Sequence, residues 1–306
     1  MRLQNSIFSL LIFGFCPVWA EDKQVPWFDV LHDDISHSVN VSAVWLDDFF
    51  GHEEYQSNEM ARGGARVQLG IEPRSRDLME FESRVRIRVK LPKLKNRVDL
   101  VFSDYDEELE KAPIKAAQNE VLQSQNRFNL ALRWSNKKGQ DSFWSNRIGI
   151  GRKAQPFART QYTSRGTLSD TQRYRWLASA YFYQNEGFGS HLGLQLEQDL
   201  NQSSVVRLDN DFFFRDESDD WLWQHNLYNM TQLSDSSALI SGIYVDGLTQ
   251  PNYQVNEYLL SVRWRKNALR EWLFFEVEPF VLWRRDESFD ASYGLAMRIE
   301  GYFGHY

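Results

Sequence analysis

The feature that most restricts this chain is the strict two-residue alternation in MEFESRVRIRVKL. Phe81, Val85, Ile87, Val89 and Leu91 fall on one side, and Glu82, Arg84, Arg86, Arg88 and Lys90 on the other. A helix would scatter these charges around its axis, whereas an extended strand separates them onto two faces. The pattern returns in RFNLALRW, where Phe128, Leu130, Leu132 and Trp134 oppose Arg127, Asn129 and Arg133. It returns in EWLFFEVEPFVLW, with Leu273, Phe275, Val277, Val281 and Trp283 against Glu276 and Glu278. The last segment sets Ala291, Tyr293, Leu295, Met297, Ile299 and Phe303 against Arg298 and Glu300.

Alternation and turn signals together predict fourteen strands of about ten residues, the length that crosses a bilayer at barrel tilt. They fall near 64–73, 79–91, 96–103, 125–134, 142–152, 156–165, 171–184, 188–199, 204–214, 221–233, 237–248, 252–265, 271–283 and 290–304. The sixth, tenth and eleventh are blurred, so twelve or sixteen strands are also compatible. The fold expected is all-β: a transmembrane antiparallel up-and-down barrel over 61–306, with a short N-terminal helical segment. With the C-terminus on the periplasmic side, the one long connection, residues 104–124, falls outside the cell and the periplasmic turns are short.

A soluble barrel also alternates, but it points its apolar face inward. Here the apolar face of fourteen strands is too extensive to fill a closed lumen. Aromatic residues make up 15% of the chain beside 25% charged residues, a pairing suited to aromatic belts at two water–lipid boundaries and charges in a lumen. Trp134, Trp144, Trp176, Trp221, Trp223, Trp264, Trp272 and Trp283 stand near the ends of apolar faces. The mean hydropathy is −0.54, and no apolar run after the N-terminus is long enough for a helical span.

Residues 1–20 read as a secretory signal: Arg2, the apolar stretch Ile7 to Cys16, and Val18-Trp19-Ala20 as cleavage site. Cleavage there removes the single cysteine, and with it disulfide and thiolate chemistry. Residues 21–60 differ from the rest. Trp27, Val30, Leu31, Ile35, Val44, Trp45 and Phe49 recur at three- and four-residue spacings, which predicts one or two short amphipathic helices, the second ended by Gly51. Their acidity suits a periplasmic cap or a plug against a basic lumen wall; a leader that only packs on the surface fits equally.

The terminal run YGLAMRIEGYFGHY alternates to the end and closes on Tyr306. It resembles the C-terminal signal that Gram-negative outer-membrane proteins present to their barrel-assembly machinery, which usually ends in Phe, so Tyr306 or Phe303 would serve. LDDFFG, RVRIRVKLPKL, VNEYLLSVRWRKN and REWLFFEVEPFVLWRRDESF, taken together, are similar to an uncharacterised family of Gram-negative (proteobacterial) outer-membrane β-barrel proteins. That resemblance implies a location in the outer membrane, in contact with its lipid; the family carries no established activity, so the resemblance bears on the fold and not on the function.

The two-residue period also predicts which charges line a pore. The basic set is Arg84, Arg86, Arg88, Lys90, Arg97, Arg127, Arg133 and Arg147; the acidic set is Glu197, Asp209, Asp211, Glu276 and Glu278. Opposite charges facing each other across a water-filled lumen would set up a transverse field that orients dipolar solutes and disfavours apolar ones. The function expected is a diffusion channel for small hydrophilic solutes. The alternative is a closed structural or partner-binding barrel whose two walls meet in salt bridges.

No enzyme, cofactor or metal site is expected. Ser190 and His191 are adjacent in one strand, so their side chains point to opposite faces and cannot pair. No G-x-S-x-G occurs. His225 has no evident nucleophile beside it, and Asp216, Glu217, Asp219 and Asp220 read as a solvated turn. His32, Asp33 and His37, or His52 with Glu53, match no metal-site spacing. A net charge of −7 argues against nucleic acid as a partner. The sequence leaves the oligomeric state open.

Overall fold

The computed structural model describes residues 26–50, 62–76, 80–91, 98–103, 129–137 and 141–304. The signal segment, Arg97, Arg127, the connection 104–124, the pair His52 and Glu53, and Tyr306 lie outside the described residues.

Among the described residues the first element is an α-helix, α1 (Trp27–Phe50). Fourteen strands follow: β1 (Arg62–Glu72), β2 (Glu80–Leu91), β3 (Val98–Ser103), β4 (Asn129–Lys137), β5 (Ser142–Gly151), β6 (Gln155–Ser169) and β7 (Gln172–Tyr183). The second half is β8 (Gly187–Asn201), β9 (Ser204–Arg215), β10 (Asp220–Ser234), β11 (Ser237–Leu248), β12 (Gln254–Asn267), β13 (Leu273–Arg284) and β14 (Ala291–Gly304). Each pairs antiparallel with its neighbours in sequence, and β1 pairs with β14 from Gly64↔Gly304 to Ile71↔Met297, closing the barrel. All fourteen expected strands are present, and closure leaves no sheet edge exposed. Six of the connections between strands, together with the start of β1 and the end of β14, share one rim, here the terminal rim; the other connections share the far rim.

The two faces of the wall are distinct. Leu69, Phe81, Ile148, Leu192, Ile243, Leu260 and Ile299 are exposed, while the alternating positions Glu82, Arg84, Asp209, Glu276, Glu278, Arg298 and Glu300 are buried. The charged face is the concave one. Its side chains reach over an intervening strand, as Arg298 of β14 does to Glu82 of β2 at 3.8 Å and Arg265 of β12 to Glu300 of β14 at 2.7 Å. Side chains on the inside of a closed sheet converge in this way; those on the outside splay apart and stay exposed.

The outer face carries aromatic rows toward both rims. Tyr162 packs between Trp144 and Trp176, with ring centroids 5.7 and 5.1 Å away, toward the terminal rim. Toward the far rim, Phe182 meets Phe188 at 4.9 Å, Phe214 meets Trp221 at 5.3 Å and Trp223 stacks on Tyr253 at 4.8 Å. This is the placement amphipathic rings take at water–lipid boundaries.

The helix is one continuous element instead of two short ones, because neither Gly nor Pro interrupts residues 27–50. Pro26 stands just before it, and its carbonyl accepts from the Asp29 and Val30 amides. The helix packs on β14, β1 and β2. Ala43 is buried with Val89 and Leu91, and His32 stacks on Trp272 at 4.3 Å and on Phe303 at 5.3 Å. Val89, Leu91 and Phe303 belong to the apolar face, so α1 lies against the outside of the wall, opposite to where a plug would sit. Its polar stripe closes the seam between first and last strands. His32 Nε2 donates to the Tyr302 carbonyl at 3.1 Å, Ser36 Oγ accepts from the Gly304 amide at 2.9 Å, and Asn40 Oδ1 accepts from the Gly63 amide at 3.4 Å.

Candidate functional site on the inner wall

Antiparallel register turns the alternating charges into transverse rows. One row runs Asp99, Arg133, Arg147, Arg159, each the direct Cα partner of the next from β3 to β6. Three arginines directly opposite one another oppose folding through like-charge repulsion. Asp99 sits between two of the basic side chains, accepting from Arg133 Nη2 at 2.7 Å and Arg88 Nη2 at 2.9 Å. Arg159 donates to Ser179 Oγ at 3.0 Å. Arg86 stands opposite Arg66 on one side and Ser103 on the other. Arg84 is buried and donates to Glu82 at 2.5 Å, and Lys90 lies exposed toward the terminal rim. The described basic positions expected from the sequence thus share the inner face of β2, β4 and β5, joined by Arg159.

The acidic positions are differently placed. Glu276 and Glu278 are buried, and arginines surround both. Arg298 lies 2.5 Å from Glu278, 2.7 Å from Glu72 and 3.7 Å from Glu276. Arg265 bridges Glu276 at 2.6 Å and Glu300 at 2.7 Å, Arg263 reaches Glu278 at 3.2 Å, and Arg66 pairs with Glu300. Glu72, Glu276, Glu278 and Glu300 are therefore matched by Arg66, Arg263, Arg265 and Arg298 in one lattice over β12, β13, β14 and β1. On β7 to β9, Glu197 faces Arg173 at 3.2 Å and Arg207 at 3.6 Å, and Asp209 faces Arg207 at 3.2 Å while accepting from Tyr228 Oη at 2.8 Å. Asp211 holds the buried His191 at 2.6 Å, whose ring stacks on Phe213 at 4.0 Å. A small recess beside them, over Gly193, is lined by Arg175, Gln195, Arg207, Asp209 and Asp211.

Arg159, Arg207, Arg263, Arg265, Arg298, Glu72 and Glu300 also lie on the inner face, and the set expected from the sequence did not include them. The signal for most was present: Arg263 and Arg265 alternate with Val262 and Trp264, and Arg298 with Met297 and Ile299. The inner face is also partly apolar, as Phe280 and Leu282 follow Glu276 and Glu278 in the two-residue period. Tyr228, Tyr244, Leu259, Phe280, Leu282 and Ala296 form a buried inner cluster, and Phe157, Tyr181 and Tyr183 form another with Ala131.

At the far rim, Glu186 accepts from Arg152 at 2.5 Å and from Gln155 at 2.9 Å, and lies 3.2 Å from Lys153. Burial pushes its carboxyl up, but Arg152 and Lys153 outweigh that and hold it below the ordinary value. The hydrogen bond to Glu186 holds the Lys153 ammonium above its own.

Among the described residues no group of His, Cys, Asp and Glu is arranged to hold a metal ion, and no helix is long and apolar enough to cross a membrane. Ser190 and His191 point to opposite faces, and His225 lies on the outer face, its Nδ1 2.7 Å from Asn210.

No family model matches the chain, and no curated protein matches it in sequence. Solved structures do match in fold. OprB of Pseudomonas putida aligns over 79% of this chain and 94% of its own, with a TM-score of 0.51 and 8% identity. The outer-membrane channel DcaP of Acinetobacter baumannii aligns over 79% and 96%, with a TM-score of 0.50 and 7% identity. OmpT, an outer-membrane protein of Vibrio cholerae, aligns over 82% and 100%, with a TM-score of 0.50 and 7% identity. At such identity the likeness shows the fold: this chain is a closed β-barrel similar to outer-membrane channel proteins.

Proposed function

We propose that this protein is an outer-membrane diffusion channel for small hydrophilic solutes. The observation that carries the reading is the opposed row Arg133, Arg147, Arg159 on the concave face of a closed barrel whose convex face is apolar and belted with aromatics. Lining up like charges costs folding free energy, so the row is better explained by what it does to a solute than by stability. The basic strip faces an ion-paired lattice instead of a bare acidic wall. The ion pairs named above run along the wall between strands no more than two apart, an arrangement compatible with a water-filled centre. The C-terminal strand, with Phe303 near its end, supplies the segment that barrel-assembly machinery would read.

Liposome swelling tests the reading. Vesicles carrying the purified protein swell in isotonic small sugars and amino acids, and protein-free vesicles do not; equal rates in both would reject it. The second reading, a closed barrel, draws on the two inner aromatic clusters, which fill part of the interior. It predicts that protein and control vesicles swell alike.

A further inference from the structure

We propose that α1 is a membrane-surface helix: it runs around the outside of the barrel at the terminal rim and rests in the headgroup layer of the surrounding lipid. The inference rests on the membrane reading above and adds a lipid contact that the strands do not make.

Its course comes from its contacts in order. Asp29 pairs with Arg270, in the turn between β12 and β13, at 2.6 Å. His32 stacks on Trp272 and Phe303, Ser36 meets Gly304, Asn40 meets Gly63, and Ala43 packs on Val89 and Leu91 of β2. Between Asp29 and Ala43 the helix advances about 21 Å at 1.5 Å per residue. Over that distance it passes from β13 across β14 and β1 to β2, three gaps of about 4.8 Å each. It therefore crosses the strands obliquely, following the rim instead of the barrel axis.

The wall-facing stripe accounts for only part of its apolar surface. Trp27 is 75% exposed and Val41 53%, and Val30, Leu31 and Val44 are exposed as well. The barrel's outer face on β1 and β14 carries exposed Leu69, Met297 and Ile299, so exposed apolar side chains occur on both the helix and the wall beside it. A surface of that extent calls for an apolar partner, and the partner that already meets the rest of it is lipid. Asp33, Asp34 and His37 share the exposed half of the helix. Their charge and polarity set the helix at headgroup depth, roughly 5–10 Å into the boundary, and keep it out of the hydrocarbon.

The test uses full-length protein in phosphatidylcholine vesicles, in a Cys16→Ser background. A fluorophore is placed at Trp27→Cys, Val30→Cys or Val41→Cys, with Ile243→Cys on the outer face of β11 as the barrel control. Emission is read against lipid carrying a nitroxide near the headgroup end of its acyl chain, and against aqueous iodide. The expected result is that each helix label loses roughly half its emission to the lipid nitroxide and little to iodide. If the Ile243 label is quenched from lipid while the helix labels respond only to iodide, this inference is overturned and the membrane reading stands. If the Ile243 label also responds only to iodide, the membrane reading falls and takes this inference with it.

Discussion

Arg298 and Glu278 face each other on the inner wall at 2.5 Å, both all but inaccessible to solvent. Arg298 is also within ion-pair distance of Glu72, Glu82 and Glu276, so one guanidinium compensates four carboxylates. Removing it leaves four crowded carboxylates short of one positive charge, with Arg263, Arg265 and Arg84 still reaching Glu278, Glu276 and Glu82. Arg298→Met is expected to destabilise the barrel by about 3–5 kcal/mol, the usual cost of breaking a buried pair on one side. Arg298→Lys, which keeps the charge but loses the fork, should cost less. Urea unfolding of vesicle-inserted protein, followed by tryptophan emission, measures both.

Arg147 lies between Arg133 and Arg159 in the basic row. Arg147→Glu reverses the charge at its middle and also relieves repulsion, so the barrel should fold at least as well. The expected change is in ion preference: under a salt gradient the reversal potential moves toward cations, with the anion-to-cation permeability ratio falling by roughly twofold or more. An unchanged reversal potential would mean that Arg147 does not face the ion path.

Which strands form was readable because alternation reports burial on one face only. Where it blurred, the structure shows why. β10 carries Leu222 and Tyr228 on its inner face and His225 and Asn229 on its outer face, so neither side reads cleanly apolar. β6 reaches Ser169, beyond the expected end, through a polar stretch that the period cannot mark. The inner charges were visible as residue types, but their pairing was not: it depends on which strands meet, and the contact of Arg298 with Glu72 joins positions 226 residues apart. The place of α1 was unreadable for a similar reason. Its periodicity shows that one stripe is covered, not which face of the wall covers it.

Gly63 marks where α1 crosses β1. A Cβ there would lie 2.7 Å from both Val39 Cγ1 and the Val39 carbonyl oxygen, and backbone cannot yield as a flexible side-chain tip does. Gly63→Val should lift α1 from the wall while leaving strand pairing intact. Limited proteolysis is expected to cut within 26–50 several times faster in this variant, with the barrel band on a semi-native gel unchanged. Equal cleavage in both proteins would show that the helix does not depend on this contact.

Glu186 supplies a pH prediction at the far rim. Its folded carboxyl sits below its ordinary value, so it contributes stability above the unfolded carboxylate range, near pH 4.3, and loses it as pH falls through the lower folded value. Glu186→Gln should therefore lower the melting temperature at neutral pH. Because Glu186 is protonated in both states once the pH is below its folded value, the difference from the parent should shrink on acidification. Melting on semi-native gels from neutral to strongly acidic pH measures it; a difference that grows toward acid would contradict the assigned ion pair.

On the proposed reading, the charged concave face bounds a water-filled path through lipid. Single-channel recording of the purified protein in a planar bilayer tests it most directly. Discrete, reproducible current steps are expected, and they should persist when residues 26–50 are removed, because the helix lies outside the barrel. A silent bilayer at every applied voltage, from protein shown to be folded and inserted, would contradict it.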